Sequence, residues 1–456
     1  MLSEAGREVK PDRKASSERI AIAYRPIGDL KLDPKNPRAH SRKQVRQIAR
    51  SIEAFGFNVP VLIDKDAKVI AGHGRLLACR ELGLEEIPTI ALEHLSEAQA
   101  RAFLIADNQL TLNASWDEQL LGEHLKALSE VELNFSLEVT GFEMGEIDLM
   151  IENLATTNAT ANDPADAIEP TTGKAVSRPG DLWILGPHRL YCGSALEAVA
   201  FQALMGRKKA RMVFIDPPYN VPIDGHATGL GAIHHRDFAM ASGEMSEAEF
   251  IAFLTQAFRL LVRHSHSGAL HYVFIDWRHL SEILAAGRTV YSELKNLCVW
   301  AKDNAGMGSF YRSQHELVFV FKQGTESHQN NVQLGQYGRN RTNVWHYPSV
   351  GAFARSTEEG NLLALHPTVK PVALVADAIL DSSARGDIVL DAFIGSGTTL
   401  LAAERVGRHC HGLELDPLYV DIAIRRWQTF SGQKARHALT GHLFDESIGQ
   451  ADASGN

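Results

Sequence analysis

Short apolar strands alternate with helical segments from Gly180 to about Leu439, and this alternation restricts the fold more than any other feature of the sequence. Strands that are separated by helices usually pair in parallel, because each helix carries the chain back across one face of the sheet. We therefore expect an α/β fold with a doubly wound sheet over residues 179–440. In such sheets ligands bind at the carboxyl ends of the strands, so residues at those ends are candidate site residues.

The chain has 456 residues, more than one hydrophobic core usually supports, so we expect two or three domains. Residues 18–112 combine short strands with helices and predict a second, small α/β domain. Residues 113–155 predict a helical extension. Residues 156–178 are rich in Thr, Asn, Ala, Asp and Pro and have almost no large apolar side chain, which predicts an interdomain linker.

Composition excludes several classes of protein. Hydrophobic residues make up 45% and charged residues 22%, as in ordinary globular proteins. No apolar run is long enough to span a bilayer, and Met1–Arg19 has no apolar core of a secretory signal, so we expect a cytoplasmic protein without a membrane partner. The four cysteines lie far apart, and His234-His235 and His264-x-His266 have no neighbouring acidic or cysteine ligands, so no metal site is predicted.

The strand pattern Arg211–Ile215 leads directly into Asp216, Pro217, Pro218 and Tyr219. An exocyclic base amine is a poor nucleophile because its lone pair is delocalised into the ring, and acceptors aimed at its hydrogens can turn that lone pair toward an electrophile. The Asp216 carboxylate is such an acceptor, and prolines present carbonyl oxygens without a competing N–H. Tyr219 offers a face on which an extruded base can stack. A non-catalytic turn can have the same composition, so the tetrapeptide alone leaves both interpretations open.

A second strand, Ile388–Phe393, is followed by a turn with Gly395 and Gly397, and the next strand ends near Glu414 and Asp416. Glycines let the backbone approach an adenosine closely, and an acid at the end of the next strand can accept from ribose hydroxyls. The turn is shorter than the dinucleotide fingerprint, which favours a cofactor without phosphates, such as S-adenosylmethionine.

Together these residues resemble those of the amino DNA methyltransferases that carry an Asp-Pro-Pro-Tyr catalytic motif. The Phe-x-Gly-x-Gly cofactor motif of that family matches Phe393, Gly395 and Gly397, and its adenosine-binding acid matches Glu414. A His-Pro-Thr-x-Lys-Pro motif stands just upstream of the cofactor strand. The resemblance covers the whole predicted catalytic domain in the permuted, β-class order, with the catalytic motif first.

The resemblance implies a Rossmann-like S-adenosylmethionine-dependent domain that flips its target base and transfers the methyl group directly. It implies double-stranded DNA as the partner, and a net charge of −9 does not exclude a basic cleft. The resemblance leaves open whether the chain forms a homodimer. The implied catalytic residues are Asp216, Pro217, Pro218 and Tyr219. The implied cofactor-binding residues are Thr368, Lys370, Pro371, Asp391, Phe393, Gly395, Gly397, Thr398, Glu414 and Asp416.

Residues at about 221–345 are expected to form a target-recognition insert. Within this range Val299–Asn304 and Tyr311–Glu316 resemble family segments that frame the base pocket and the DNA. One departure from the family is Leu190–Ser194, where relatives carry Gly-Asp. A polar contact to the cofactor is therefore either weakened or made by Ser194.

Two segments near the N-terminus, Asp33–Arg38 and Val69–Arg75, resemble the ParB-like domain, and this resemblance spans about Ile20 to Thr111. Partition proteins of this kind hold a nucleotide triphosphate against a Gly-Glu-Arg-Arg box. The second segment ends in the equivalent box.

Here that box consists of Gly72, His73, Gly74 and Arg75, so His73 and Gly74 replace the middle pair and put nucleotide hydrolysis in doubt. The two glycines allow a tight turn at a helix N-terminus, where Arg75 can meet an anion. Gly72, His73 and Arg75 are the candidate nucleotide-site residues. A purely structural turn in a docking module fits the same residues.

Adenine N6 is the predicted target, since Asp at the first motif position favours adenine in the family, and N4 of cytosine is the alternative. A second hypothesis is a ParB-type nucleotide-gated DNA-binding protein with a vestigial methyltransferase half. The intact motif residues Asp216, Tyr219, Gly395 and Glu414 count against it. A third is methylation of a protein glutamine or RNA, but such motifs usually begin with Asn.

Overall fold

In the computed structural model, the described residues are 20–131, 133–155, 163–167, 175–220, 244–303, 305, 310–335, 339–349 and 369–447. The chain divides into two compact units. The first comprises Met1–Leu121 and Glu130–Glu143, and the second comprises Gly122–Ser129 and Met144–Asn456. No helix among the described residues is both long and apolar enough to cross a membrane.

The first unit contains a four-stranded sheet in the order β1-β4-β2-β3, in which only the β2–β4 pair is parallel. Local sequence signals set its helices. Ser41 accepts a hydrogen bond from the Gln44 N–H at 3.1 Å, and Gly56 ends the helix with φ +82°. The elements are β1 (Ile22–Pro26), α1 (Arg42–Phe55), β2 (Val61–Ile63), β3 (Val69–Ala71), α2 (His73–Glu81), β4 (Glu86–Ala91) and α3 (Glu97–Leu112). Helix α4 (Glu118–Ser129) follows at the boundary between the units.

The second unit contains a ten-stranded sheet in the order β11-β9-β10-β8-β7-β12-β13-β6-β5-β14. Its five central strands, from β8 to β6, are parallel. Antiparallel pairs extend the sheet on either side, and β11 at one edge pairs in parallel with β9. The elements are α5 (Met144–Ala155), β5 (Leu182–Leu185), β6 (His188–Cys192), α6 (Ala198–Met205), β7 (Ala210–Ile215), α7 (Glu247–Arg263), β8 (Ser265–Ile275), α8 (Leu280–Val290), β9 (Glu293–Ala301), β10 (His315–Lys322), β11 (Val344–His346), α9 (Val372–Ser382), β12 (Ile388–Asp391), α10 (Thr398–Arg405), β13 (His409–Glu414), α11 (Pro417–Ser431) and β14 (Arg436–His437).

Strand β7 has apolar side chains buried on both faces. Met212 and Phe214 belong to the cluster that includes side chains of α9, α10 and α11, whereas Val213 and Ile215 belong to the cluster that includes those of α6, α7 and α8. Successive side chains of a strand point to opposite faces, so an unbroken apolar strand needs helices on both sides. The predicted α/β fold with a doubly wound sheet is confirmed.

The target-recognition role expected for residues at about 221–345 stays a prediction, but the described part of this range also contributes to the main sheet. Within that range, α7, β8, α8, β9, β10 and β11 are part of the main sheet and its helical layers, and β8 pairs directly with β7. The strands among these elements are held by main-chain hydrogen bonds to their neighbours in the sheet, and β8 buries side chains on both of its faces there.

Two parts of the chain outside the predicted catalytic domain contact its helices and strands. Asp148 of α5 forms a two-point ion pair with Arg408, at 2.9 and 2.6 Å. In the predicted linker, Asp163 is paired with Arg405 at 2.5 and 2.7 Å, and Asp166 accepts from the Val372 N–H at 2.8 Å. The described part of this segment is therefore attached to the second unit rather than a free spacer.

Candidate active site

Asp216 follows the last residue of β7 and therefore lies at the carboxyl edge of the parallel strands. Pro217 is buried, and Tyr219 packs against both apolar clusters of the sheet. The basic cluster at 207–211 lies at the other end of β7, about 20 Å away for a strand that rises ~3.3 Å per residue. The structure thus brings the four motif residues to the expected edge and keeps that basic cluster away from it.

Two side chains hold the Asp216 carboxylate. The Nζ of Lys370 donates to Oδ2 at 2.5 Å, and the Tyr219 hydroxyl donates to Oδ1 at 2.5 Å. Lys370 is 4% exposed, and its ammonium lies 5.1 Å from the ring centroid of Phe274 and 5.9 Å from that of Trp300. The family resemblance implies a cofactor contact for Lys370, whereas the structure brings its ammonium to the catalytic motif.

Two charged residues that the sequence analysis did not select complete this cluster. Oε2 of Glu316 accepts from the Tyr219 hydroxyl at 3.0 Å and lies 3.2 Å from Nζ of Lys370. Its Oε1 accepts from Nζ of Lys302 at 2.5 Å. Both residues belong to segments that resemble the frame of the base pocket, which is the only sequence signal that could have selected them. Together with Asp216 and Lys370 they form a cluster of two carboxylates and two ammonium groups, and the Tyr219 hydroxyl lies between the two carboxylates.

Burial and neighbouring charges shift the pKa values in this cluster. Burial alone would raise the pKa of Glu316, but Lys370 and Lys302 outweigh it and lower that pKa to about 2. Burial raises the pKa of Asp216 against the opposing charge of Lys370. Burial would lower the pKa of Lys370, yet the two carboxylates raise it. Burial, followed by the two carboxylates, raises the pKa of Tyr219 well above its usual value, so Tyr219 stays a neutral hydroxyl.

Glu414 ends β13, two strands away from β7 at the same edge. Its Oε2 accepts from the Gly395 N–H at 2.8 Å and its Oε1 accepts from the Asp416 N–H at 2.9 Å. Burial raises its pKa to about 7 despite these hydrogen bonds. The carboxylate therefore braces the glycine turn and keeps further lone pairs for a ligand.

Asp391 ends β12, the strand between β7 and β13. Its Oδ1 accepts from the Phe393 N–H at 2.9 Å, and its Oδ2 accepts from the Thr399 hydroxyl at 2.6 Å. Burial raises its pKa to about 7 as well. Two carboxylates on adjacent strands disfavour a phosphate and suit a cationic ligand with hydroxyl groups, so this donor set fits a sulfonium nucleoside.

The glycine turn needs its glycine at 397. Gly397 has φ +89° and precedes α10, and a Cβ there would lie 2.8 Å from the Cβ of Ala423. Thr398 is the buried first residue of α10, and the Phe393 ring lies 6.0 Å from that of Phe253. The close approach of α11 to this turn leaves no room for a side chain.

The other predicted cofactor residues lie at the starts of helices or outside the described chain. Pro371 precedes α9, and Asp416 caps α11 by accepting from the Leu418 N–H at 3.0 Å. Thr368 lies outside the described residues. Ser194, expected as a replacement contact, accepts from the Leu196 N–H of its own turn at 3.2 Å.

In the first unit, Gly72 has φ +100° and stands before the first residue of α2, His73. His73 is 7% exposed, and its Nε2 has no hydrogen-bond partner among the described residues. Burial lowers its pKa, so the ring is neutral. A Cβ at Gly72 would lie 3.0 Å from a guanidinium nitrogen of Arg75, so the cation lies against the turn. Gly72, His73 and Arg75 are thus brought together at one helix N-terminus.

The described residues contain no group of three or more His, Cys, Asp or Glu side chains that could hold a metal ion. The Nδ1 of His264 donates a hydrogen bond to the Leu260 carbonyl oxygen at 3.1 Å, and its ring stacks on that of Phe201 with the centroids 5.3 Å apart. His234 and His235 lie outside the described residues.

Known families match three parts of this chain. The DNA methylase family matches residues 210–425, the ParB N-terminal domain matches residues 10–109, and the ParB-methyltransferase HTH domain matches residues 119–179. The last match covers most of the predicted helical extension and linker.

Individual relatives match the two halves separately. The ParB-like nuclease domain-containing protein YnaK of Escherichia coli is 43% identical over 83 residues, which are 18% of this chain and 95% of that protein. The Type II methyltransferase M2.MboI of Moraxella bovis is 26% identical over 230 residues, which are 47% of this chain and 80% of that protein. Among solved structures, the cytosine-N4-specific PvuII DNA methyltransferase is 17% identical with a TM-score of 0.39, covering 53% of this chain and 89% of that one.

Proposed function

The chain belongs to the DNA methylase family and carries a ParB N-terminal domain ahead of its methylase domain, and we propose that it methylates the N6 amine of adenine in DNA. The observation that carries this proposal is the Asp216 carboxylate, held by Lys370 and Tyr219 at the carboxyl edge of β7. A carboxylate fixed in this way can accept from an amine hydrogen of a flipped base. The carbonyl oxygens of the motif prolines are further acceptors for the same amine.

S-adenosylmethionine supplies the electrophilic methyl group when it is bound. The residues that fit it are Glu414 and Asp391, whose carboxylates suit ribose hydroxyls and a cationic sulfonium, and the turn at Gly395 and Gly397. The cofactor edge and the Asp216 carboxylate lie on adjacent strands, β12 and β7. We place the methyl donor and the target amine next to one another at this edge.

Adenine is preferred to cytosine in this proposal because, in the family that the chain resembles, Asp at the first position of the motif favours adenine. Methylation of N4 of cytosine is the alternative, because both bases present an exocyclic amine with the same two hydrogens to Asp216. The distinction between them therefore depends on the shape of the base pocket.

We also propose that the connection between β9 and β10 contacts the DNA. Phe310 and Tyr311 are 86% and 85% exposed, and their ring centroids are 4.4 Å apart. They stand a few residues before Glu316, at the same end of β10 as the catalytic cluster. Exposed aromatic rings beside a base-modifying site are suited to stacking on bases.

The ParB N-terminal domain is proposed to bind the phosphates of a nucleotide at the N-terminus of α2. The backbone N–H groups of that helix end and the Arg75 guanidinium beside Gly72 support this proposal. Calorimetry with nucleoside triphosphates on the full chain, compared with Arg75→Ala, tests it. Equal affinity in both proteins would reject it.

The test of the proposed function is single-molecule sequencing of DNA from cells that express either the natural chain or the Asp216→Ala variant. Methylated adenine in a fixed short sequence context, found only with the natural chain, is the expected result. Methylated cytosine would reject the choice of base, and no modification with either chain would reject the proposed function. S-adenosylmethionine binding by the variant shows that it is folded.

A further inference from the structure

We propose that Glu316 is a positioning residue for methyl transfer, which sets the geometry of Asp216 through Lys370 and Tyr219. This inference rests on the proposed function, because it assigns Glu316 to the reaction that the Asp216 site performs. Glu316 does not touch the target amine in this scheme and acts only through its two neighbours.

Glu316 reaches the site from the start of β10. It is the second residue of β10, whose neighbour Leu317 pairs with Ile275, the last residue of β8. Because β10 runs antiparallel to β8, its first residues lie at the carboxyl edge where β7 delivers Asp216. Glu316 is 5% exposed, so its carboxylate is turned into this edge rather than toward water.

The ammonium group of Lys370 is shared between two carboxylates. Its Nζ lies 2.5 Å from Asp216 Oδ2 and 3.2 Å from Glu316 Oε2. Glu316 thus takes a part of the contact with this buried ammonium, and loss of its charge would strengthen the contact between Lys370 and Asp216. Lys370 would then move onto Asp216 and compete with the target amine for its lone pairs.

The hydroxyl of Tyr219 also links the two carboxylates, because it lies 2.5 Å from Asp216 Oδ1 and 3.0 Å from Glu316 Oε2. The single O–H hydrogen of the phenol is shared between these two acceptors, and together they hold the ring face that is proposed to stack on the base. Lys302 in turn holds the far oxygen of Glu316 at 2.5 Å. The Lys302–Glu316 pair thus fixes both groups that contact Asp216.

The charge balance of the cluster requires a negative charge at Glu316. Asp216 and Glu316 offset Lys370 and Lys302, so removal of one negative charge leaves an uncompensated buried cation. A glutamine has the same shape but neither balances that charge nor accepts at both oxygens. An effect of Glu316→Gln therefore reports the charge and the hydrogen bonds rather than the packing.

The experiment measures transfer of a tritiated methyl group from S-adenosylmethionine to whole-genome-amplified DNA by the full-length chain. We expect Glu316→Gln to lower kcat about 100-fold, the scale that small misplacements of reacting groups produce. KM for S-adenosylmethionine should stay within about twofold, because the cofactor edge is unchanged. Glu316→Asp, which keeps the charge, should recover part of the loss, and Lys302→Met should lower kcat less than Glu316→Gln.

The pH profile separates positioning from a structural role. Burial would lower the pKa of Lys370 and two carboxylates raise it, so loss of one of them should move the alkaline limb of the kcat profile of Glu316→Gln to lower pH. The matched control is Glu282→Gln, another buried glutamate, which accepts from the Ser281 hydroxyl on α8. It should leave kcat and the pH profile unchanged.

The outcomes distinguish this inference from the proposed function. Wild-type kcat or an unshifted pH profile in Glu316→Gln, alongside an active wild type, overturns the role of Glu316 alone. A wild type that transfers no methyl group to any DNA overturns both.

Discussion

The ammonium of Lys370 lies 2.5 Å from the carboxylate of Asp216, although 154 residues separate them along the chain. This pair joins two motifs that the sequence presents as separate, one for catalysis and one for the cofactor. It makes the catalytic carboxylate part of a buried charge network. The network changes which effect each substitution in the site should have.

Lys370→Met should lower kcat about 100-fold and leave the dissociation constant of S-adenosylmethionine within about twofold, since Lys370 contacts Asp216. Single-turnover transfer and calorimetry measure the two quantities. Lys295→Met is the matched control, because Lys295 pairs with exposed Glu293 and should affect neither. Weakened cofactor binding with normal transfer at saturation would instead return Lys370 to the cofactor site.

Affinity for S-adenosylmethionine should rise with pH between about 6 and 8, by up to about tenfold per unit for one titrating group. Burial raises the pKa of Glu414 to about 7, and a protonated carboxyl cannot accept at both oxygens. Calorimetry across this range tests the dependence. Glu414→Gln should bind S-adenosylmethionine weakly and reduce the pH dependence to the part that Asp391 contributes, whereas the surface change Asp445→Asn should preserve it.

The raised pKa of Glu414 predicts the opposite pH dependence for the stability of the ligand-free protein. A carboxyl whose pKa is raised on folding favours the folded state most at low pH, below its unfolded value, and loses that contribution as pH rises through about 7. Glu414→Gln should therefore raise the melting temperature at pH 8 more than at pH 5. An equal change at both values would contradict the assigned titration.

Gly397→Ala should destabilise the protein by at least about 2 kcal/mol, because strain at φ +89° adds to a clash with Ala423. Urea unfolding measures the change. Gly386→Ala separates the strain from the clash. Gly386 has φ +78°, but no atom lies within 4 Å of the place that an added methyl group would take. This variant should lower the free energy of unfolding by only about 1 kcal/mol. Equal losses in both variants would remove the packing argument.

Asp148→Ala should lower the free energy of unfolding by about 3–5 kcal/mol, because it leaves the fully buried guanidinium of Arg408 without the Asp148 carboxylate. The double variant Asp148→Ala with Arg408→Met should recover part of this loss. Asp445→Ala removes an exposed partner of Lys434 and should cost less than about 1 kcal/mol. A small loss in Asp148→Ala would mean that α5 is not anchored by this pair.

Much of the fold could be predicted because its signals are local. Helix α1 (Arg42–Phe55) has such signals at both ends, since the Ser41 cap precedes it and Gly56 follows it. The predicted strand Ile388–Phe393 ends earlier, at Asp391, because the Asp391 carboxylate draws the backbone N–H of Phe393 into the turn. Helix α2 begins at His73, directly after Gly72, which supplies the positive φ at its start.

The strand ends near Asp216 and Glu414 could be predicted from the amino-acid order, because apolar periodicity and turn residues act within a few positions of one another. Only the folded structure shows that Glu316 and Lys302 complete the site, and that β8, β9, β10 and β11 are strands of the main sheet. Strand order and register depend on pairings between distant segments, and no local pattern encodes them. Charges that meet across such pairings become visible only when the chain is folded.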